Sequence, residues 1–269
     1  MRHPGSPGSI VVGIDGSRSA TQAAAWAVDE AASRDIPLRL VYVIDAVGLA
    51  SAGAEGAHFA AARSALEGTQ RTVEVIGKPV KIETEVLWGT PLTKLSEQSR
   101  SAAMICVGSM GIKHACYGEG SVARALPGLA RCPVAVIHRP TVRAPSPDTE
   151  TIVVDAENDL VLQHAFEEAK LRRAPLRAIA LWHAEIPADL ADGNRLARAQ
   201  LDRRITHLRR MYPDVVVESA AIHDDLCTYL AELGQSVQLL VTGVKGQRDH
   251  LGTPQRVKCT VLTVHGNHL

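Results

Sequence analysis

Apolar and polar positions switch repeatedly between two periods along the chain, and the switching sets the elements. Short apolar or alternating runs at residues 10–14 (IVVGI), 38–44 (LRLVYVI), 80–86 (VKIETEV), 103–107 (AMICV) and 134–137 (VAVI) predict strands. Small residues at Ala23, Ala24, Ala25, Ala27, Val28 and Ala31 predict a helix that packs close to a sheet. Ser17 or Ser19 is its cap. A second helix is expected over 57–74, after an irregular Ala- and Gly-rich loop at 46–56. Gly89, Thr90 and Pro91 lead into a third, ending near Ser101, with Thr90 as cap and Pro91 in the first turn. Strict alternation of strand and helix predicts a parallel, doubly wound sheet with right-handed crossovers.

Residues 139–149, RPTVRAPSPDT, hold three prolines among small and polar residues and read as a linker. The alternation then restarts. Strands are expected at 151–154, 176–182, 215–218, 237–242 and 260–264, and helices at 160–172, 196–211 and 226–233. The halves also match in sequence. EAASRDIPLRLVYVI (30–44) aligns with EAKLRRAPLRAIALW (168–182), CPVAVI (132–137) with CTVLTV (259–264), and Asp15 with Asp155. This is an internal duplication with a period of about 135 residues. The expected fold class is α/β, with two tandem doubly wound domains at 1–138 and 150–269, each built on a mostly parallel five-stranded sheet.

The stretch 104–133, MICVGSMGIKHACYGEGSVARALPGLARCP, carries the candidate chemistry. An apolar strand runs into a loop with Gly108, Gly111, Gly118 and Gly120, and Ser121 and Val122 open a helix running towards Gly128. Glycines permit close backbone approach, and a helix start offers free N–H groups to an anion. A phosphate loop and a plain surface turn are both consistent with these residues. Asp15, directly after the first strand, sits where open α/β sheets bind ligands. It also suits an Asx turn, and the two roles are compatible.

Composition narrows the function. Lys plus Arg and Asp plus Glu each number 29, and aromatic residues make up 3%, which argues against broad nucleic-acid or membrane-surface binding. Arg203, Arg204, Arg209 and Arg210 read as a solvated helix face. No run is apolar enough to span a membrane, and the start, MRHPGSPGSI, reads as a disordered lead without an export segment. Five scattered cysteines suggest reduced thiols and a cytoplasmic protein. His114 and Cys116 have no nearby partners at zinc-site spacing, and neither a GxSxG elbow nor a GxxxxGK[ST] loop is present.

The chain resembles the universal stress proteins in their tandem, two-domain form, actinobacterial members above all. The marks are VVGIDGS (11–17), LVYVID (40–45), VGSMG (107–111), GSVA (120–123) and CPVAVI (132–137). The resemblance implies five-stranded parallel domains, ATP binding in many members, and a role in stress, dormancy or growth control. It places Asp15 near the adenosine moiety and the Val43 backbone at adenine. It also places Gly108, Ser109 and Gly111 at the start of the phosphate loop, and Gly120, Ser121 and Val122 at its close. Eight residues, 112–119, separate Gly111 from Gly120, where the family usually has nine, and Glu119 brings a negative charge that a divalent ion such as Mg2+ would offset.

In the second half Gly243 and Gly246 keep the first spacing. Five residues then lead to Gly252, and Thr253-Pro254 replaces Ser-Val, so that half reads as a degenerate domain kept for pairing or partner binding. The expected function is an ATP-binding regulator with little or no turnover, acting as a homodimer or with a signalling protein. The alternative is a nucleotide-free scaffold.

Overall fold

The computed structural model describes residues 8–45, 54–110, 121–138, 150–182, 190–223, 226–233, 236–244 and 259–265. The chain divides into two compact units, 1–139 and 140–269. The expected linker, 139–149, lies outside the described residues.

In the first unit the order is β1 (Ser9–Ile14), α1 (Arg18–Arg34), β2 (Leu38–Ile44), α2 (Ala54–Glu74), β3 (Ile82–Trp88), α3 (Pro91–Gln98), β4 (Ala102–Gly108), α4 (Ser121–Leu129) and β5 (Val134–Ile137). The five strands are parallel and lie in the order β3-β2-β1-β4-β5. Alternate side chains of a strand serve opposite faces. On one face Val11, Val41, Ile105, Val107, Val134 and Val136 pack with Leu95 of α3 and Ala123 and Leu126 of α4. The other face meets α1 and α2. The alanine stripe of α1 is fully buried there, because small side chains let the helix approach the sheet closely.

The second unit repeats the plan with β6 (Thr151–Asp155), α5 (Asp159–Arg172), β7 (Leu176–Trp182), α6 (Leu190–Met211), β8 (Val217–His223), α7 (Leu226–Leu233), β9 (Val237–Gly243) and β10 (Thr260–Val264). Its parallel strands run β8-β7-β6-β9-β10. The duplication reaches fine detail. Asp35 and Arg173 are left-handed C-caps of α1 and α5, with φ of 49° and 51°. Buried Glu30 pairs with Arg34 one turn on, and buried Glu168 pairs with Arg172 in the same way.

Several boundaries differ from the sequence reading, among them the start of α6, at Leu190 rather than 196. β3 covers Ile82–Trp88 rather than 80–86, because the Val80 N–H turns back to the Lys78 carbonyl before pairing with β2 begins. β8 covers Val217–His223 rather than 215–218, because the Val215 N–H closes a turn on Tyr212 and β7 then holds the strand through Ala221 and Ile222. α2 begins at Ala54, inside the expected loop, and takes Gly56 into its first turn. α3 stops at Gln98, where the Ser99 hydroxyl turns back to the Ser96 carbonyl, and Thr90 occupies the cap position without a side-chain bond.

Cys106, Cys132 and Cys259 are buried and Cys227 is half-buried, and none of the four forms a disulfide among the described residues. Burial pushes the thiols of Cys132 and Cys259 up from 9.0 to about 12. A raised folded-state pKa means that their contribution to stability is complete below pH 9 and declines as pH rises towards 12. Iodoacetamide at pH 8 is therefore expected to leave both thiols unmodified in the folded chain and to label both in urea. Peptide mass mapping reads the result, and rapid labelling of either thiol in the folded chain contradicts the packing.

Candidate functional site

The carboxyl end of β1 passes through Asp15 and Gly16 into α1. Gly16 takes φ +84°, a conformation that favours glycine. The Ser17 N–H donates to Asp15 Oδ1 at 2.9 Å, which makes the Asx turn. Ser17 is the N-cap of α1, and its Oγ accepts the Ala20 N–H at 3.1 Å. Of the two expected caps, Ser17 fills the role.

Ser19 does something else. It sits in the first turn of α1, buried against the end of β4. A Cβ on Gly108 would stand 2.5 Å from Ser19 Oγ, 2.6 Å from Ser19 C and 2.8 Å from Ala20 N. Only a glycine allows the helix to rest on the strand end at that distance. Two longer polar contacts join the same elements. The Ser17 hydroxyl donates to the Met110 carbonyl at 3.4 Å, and the Met110 N–H donates to Ser19 Oγ at 3.5 Å. Ser109 is buried, and its N–H donates to the Ile137 carbonyl at 2.9 Å.

Val43, on β2, packs against the α3–α4 core together with Leu87, which pairs with it on β3. Val122 packs into the same core at the start of α4, and Ser121 beside it is exposed. Asp15, Val43, Gly108 and Ser109 thus share the carboxyl edge of one sheet. Gly111 and Gly120, with the segment between them that includes Lys113, His114, Cys116, Tyr117, Gly118 and Glu119, lie outside the described residues. Sequence reasoning missed Tyr42. Burial raises its hydroxyl pKa above 10.0, and the Asp15 charge adds to the shift.

The strand order marks this edge as a candidate ligand site. From β1 the chain moves outward to β2 and β3, then crosses back to β4 and β5. The direction reverses between β1 and β4, and α/β sheets hold ligands at such a switch point. Gly108 and the first turn of α1 stand there.

The second unit differs at the matching place. Asp155 is buried at the end of β6, and its main-chain carbonyl accepts the Glu157 N–H at 2.7 Å. Glu157 Oε2 stands 2.5 Å from where a Cβ on Gly243 would lie, so a carboxylate covers the end of β9. Arg204 of α6 holds the turn before α5, donating through Nη1 to the Ala156 carbonyl at 2.6 Å and through Nε to Asp159 Oδ1 at 2.9 Å. Gly246, Arg248, Gly252, Thr253 and Pro254 lie outside the described residues.

Comparison with known proteins follows the same division. The model of the universal stress protein family matches residues 8–138. A universal stress protein of Mycobacterium tuberculosis is 51% identical over 270 residues, covering all of both chains. The chain belongs to the universal stress protein family. A second M. tuberculosis universal stress protein is 41% identical over 287 residues, again covering all of both chains. The crystal structure of a universal stress protein from Archaeoglobus fulgidus shares the fold, with a TM-score of 0.74 at 16% identity over 97% of each chain. No helix among the described residues is long and apolar enough to cross a membrane.

The packing at Gly108 makes a prediction. Gly108→Ala forces the first turn of α1 off β4 and should cost about 1–3 kcal/mol. Gly128→Ala, in open space, should leave stability within about 0.5 kcal/mol. Urea unfolding compares the two, and equal stabilities would contradict the close approach.

Proposed function

We propose that the first unit binds ATP and that the chain is a stress-response or dormancy regulator with little or no turnover. The observation that carries this reading is the seating of the α1 start on Gly108 at the switch point, beside Asp15. The close seating shapes the end of β4, and the N–H groups and positive end of α4 at Ser121, where the family's loop closes, favour phosphate there. The Asp15 carboxylate repels phosphate and accepts hydroxyl donors, which suits a ribose at the end of β1. The match of Gly111, Gly120, Ser121 and Val122 to the family's loop supports the same placement.

Among the described residues no three His, Cys, Asp or Glu side chains converge on a metal. Mg2+ would then enter with the phosphates, which it commonly does, and would offset Glu119. The second unit is expected to stay empty, because only five residues separate Gly246 from Gly252 and Thr253-Pro254 replaces Ser-Val. Cysteines that form no disulfide among the described residues suit a reducing cytoplasm. The duplicated plan suits pairing with a second copy or a signalling protein.

Calorimetry of the intact chain with ATP and magnesium tests the reading. Asp15→Ala should weaken ATP about tenfold or more, the scale of a hydrogen bond to a charged group. Asp15→Asn, which keeps an oxygen for the Ser17 N–H and for ribose, should lose less. Asp155→Ala should bind ATP within about twofold of the native chain. Undiminished affinity in folded Asp15→Ala would place the nucleotide elsewhere. No binding at millimolar ATP by the native chain would favour the nucleotide-free scaffold.

A further inference from the structure

β8 is an edge strand of the second unit, and among the described residues no strand pairs with its outer side. The register decides which main-chain groups face that side. Val217 stands opposite Leu176, whose N–H donates to the Val216 carbonyl at 2.9 Å. The main-chain groups of Val216, Glu218 and Ala220 therefore turn inward to β7, and those of Val217, Ser219 and Ala221 turn outward. An edge of this kind is a template for another extended chain.

A cleft of about 660 Å³ lies at this edge, lined by Val217, Glu218 and Ser219 of β8 and by Arg198, Asp202 and Arg209 of α6. Its two carboxylates are already engaged. Asp202 Oδ1 accepts the Ser219 hydroxyl at 2.7 Å and lies 3.9 Å from Arg209 Nη1. Glu218 is held by Arg177 Nη2 at 2.8 Å. The two arginines reach β8 through weaker, neutral acceptors. Arg198 Nε donates to Ser219 Oγ at 3.4 Å, and Arg209 Nη2 donates to the outward Val217 carbonyl at 3.2 Å. α6 carries six arginines against Asp192 and Asp202, whereas the matching α2 carries three glutamates against Arg63 and Arg71. The basic cover thus distinguishes the second unit. We propose that the outer edge of β8 takes an extended, acidic segment of a partner protein as an added strand, its carboxylates drawn by Arg198 and Arg209. A carboxylate offers the Arg209 guanidinium a stronger acceptor than the Val217 carbonyl, and its arrival releases that carbonyl to the new ladder. A nucleic acid would satisfy the arginines but has no peptide ladder to pair with Ser219 and Ala221. The inference is independent of the nucleotide reading of the first unit.

Three probes test it on the intact chain: an end-capped octapeptide of alternating Thr and Glu, its counterpart with Lys in place of Glu, and oligothymidylate. Calorimetry should show binding of the Glu peptide and none of the Lys peptide. Arg198→Glu should weaken the Glu peptide about tenfold or more, through lost attraction and new repulsion. Arg198→Gln, which keeps a donor for Ser219, should weaken it less and decides the case if Arg198→Glu fails to fold. Amide hydrogen exchange supplies the backbone readout. The Glu peptide should slow exchange at Ser219 and Ala221 in the native chain about tenfold or more, as new ladder bonds require. No binding of the Glu peptide at millimolar concentration, equal binding of the Lys peptide, or unchanged exchange at Ser219 and Ala221 would overturn the proposal. Native affinity in folded Arg198→Glu and Arg198→Gln would do the same. Tighter binding of oligothymidylate than of the Glu peptide would make the arginine face a nucleic-acid surface instead.

Discussion

The first unit depends on how closely one helix approaches one strand end. The start of α1 lies against Gly108 at a distance that no Cβ allows. That contact brings the helix N-terminus, the Ser17 cap and the Asp15 turn to the point where the sheet reverses direction. The alanine stripe of α1 makes the approach feasible along the rest of the helix, since bulkier side chains would lift it from β1 and β4. The site is therefore a product of core packing as much as of its polar residues.

The duplication separates scaffold from chemistry. Both units keep the strand order, the left-handed caps at Asp35 and Arg173, and the buried Glu30–Arg34 and Glu168–Arg172 pairs. They diverge at the carboxyl edge. Ser19 lies over Gly108 in one unit, and Glu157 lies over Gly243 in the other. Arg204 then holds the second turn from outside, through Ala156 and Asp159. The same strand order thus carries different side chains over the matching glycines, Ser19 in one unit and Glu157 in the other.

Much of this was legible in the residues. The bounds of β2, β5, β7 and β10 follow their apolar runs, because strands paired to a buried sheet have little freedom to shift. The edge strands β3 and β8 were harder to place. Their partial exposure leaves a weak pattern, and the turns at Val80 and Val215 take residues that look strand-like. The start of α6 at Leu190 was hidden by Gly193, which reads as a helix breaker. In the fold that glycine makes room for the Trp182 ring, whose indole N–H donates to Asn194 Oδ1 at 2.7 Å. At the site, Asp15 and Gly108 announced themselves by motif. The placement of Ser19 and Glu157 over the strand ends did not, because it comes from which elements the topology places side by side.

The central claim is that nucleotide occupies the first unit alone. Native mass spectrometry of the intact chain in ATP and magnesium, with photo-crosslinking by an azido-adenine analogue, counts the ligand and maps it. The account predicts one nucleotide per chain, crosslinked within residues 8–138. Two nucleotides per chain, or label confined to residues 150–269, would contradict it.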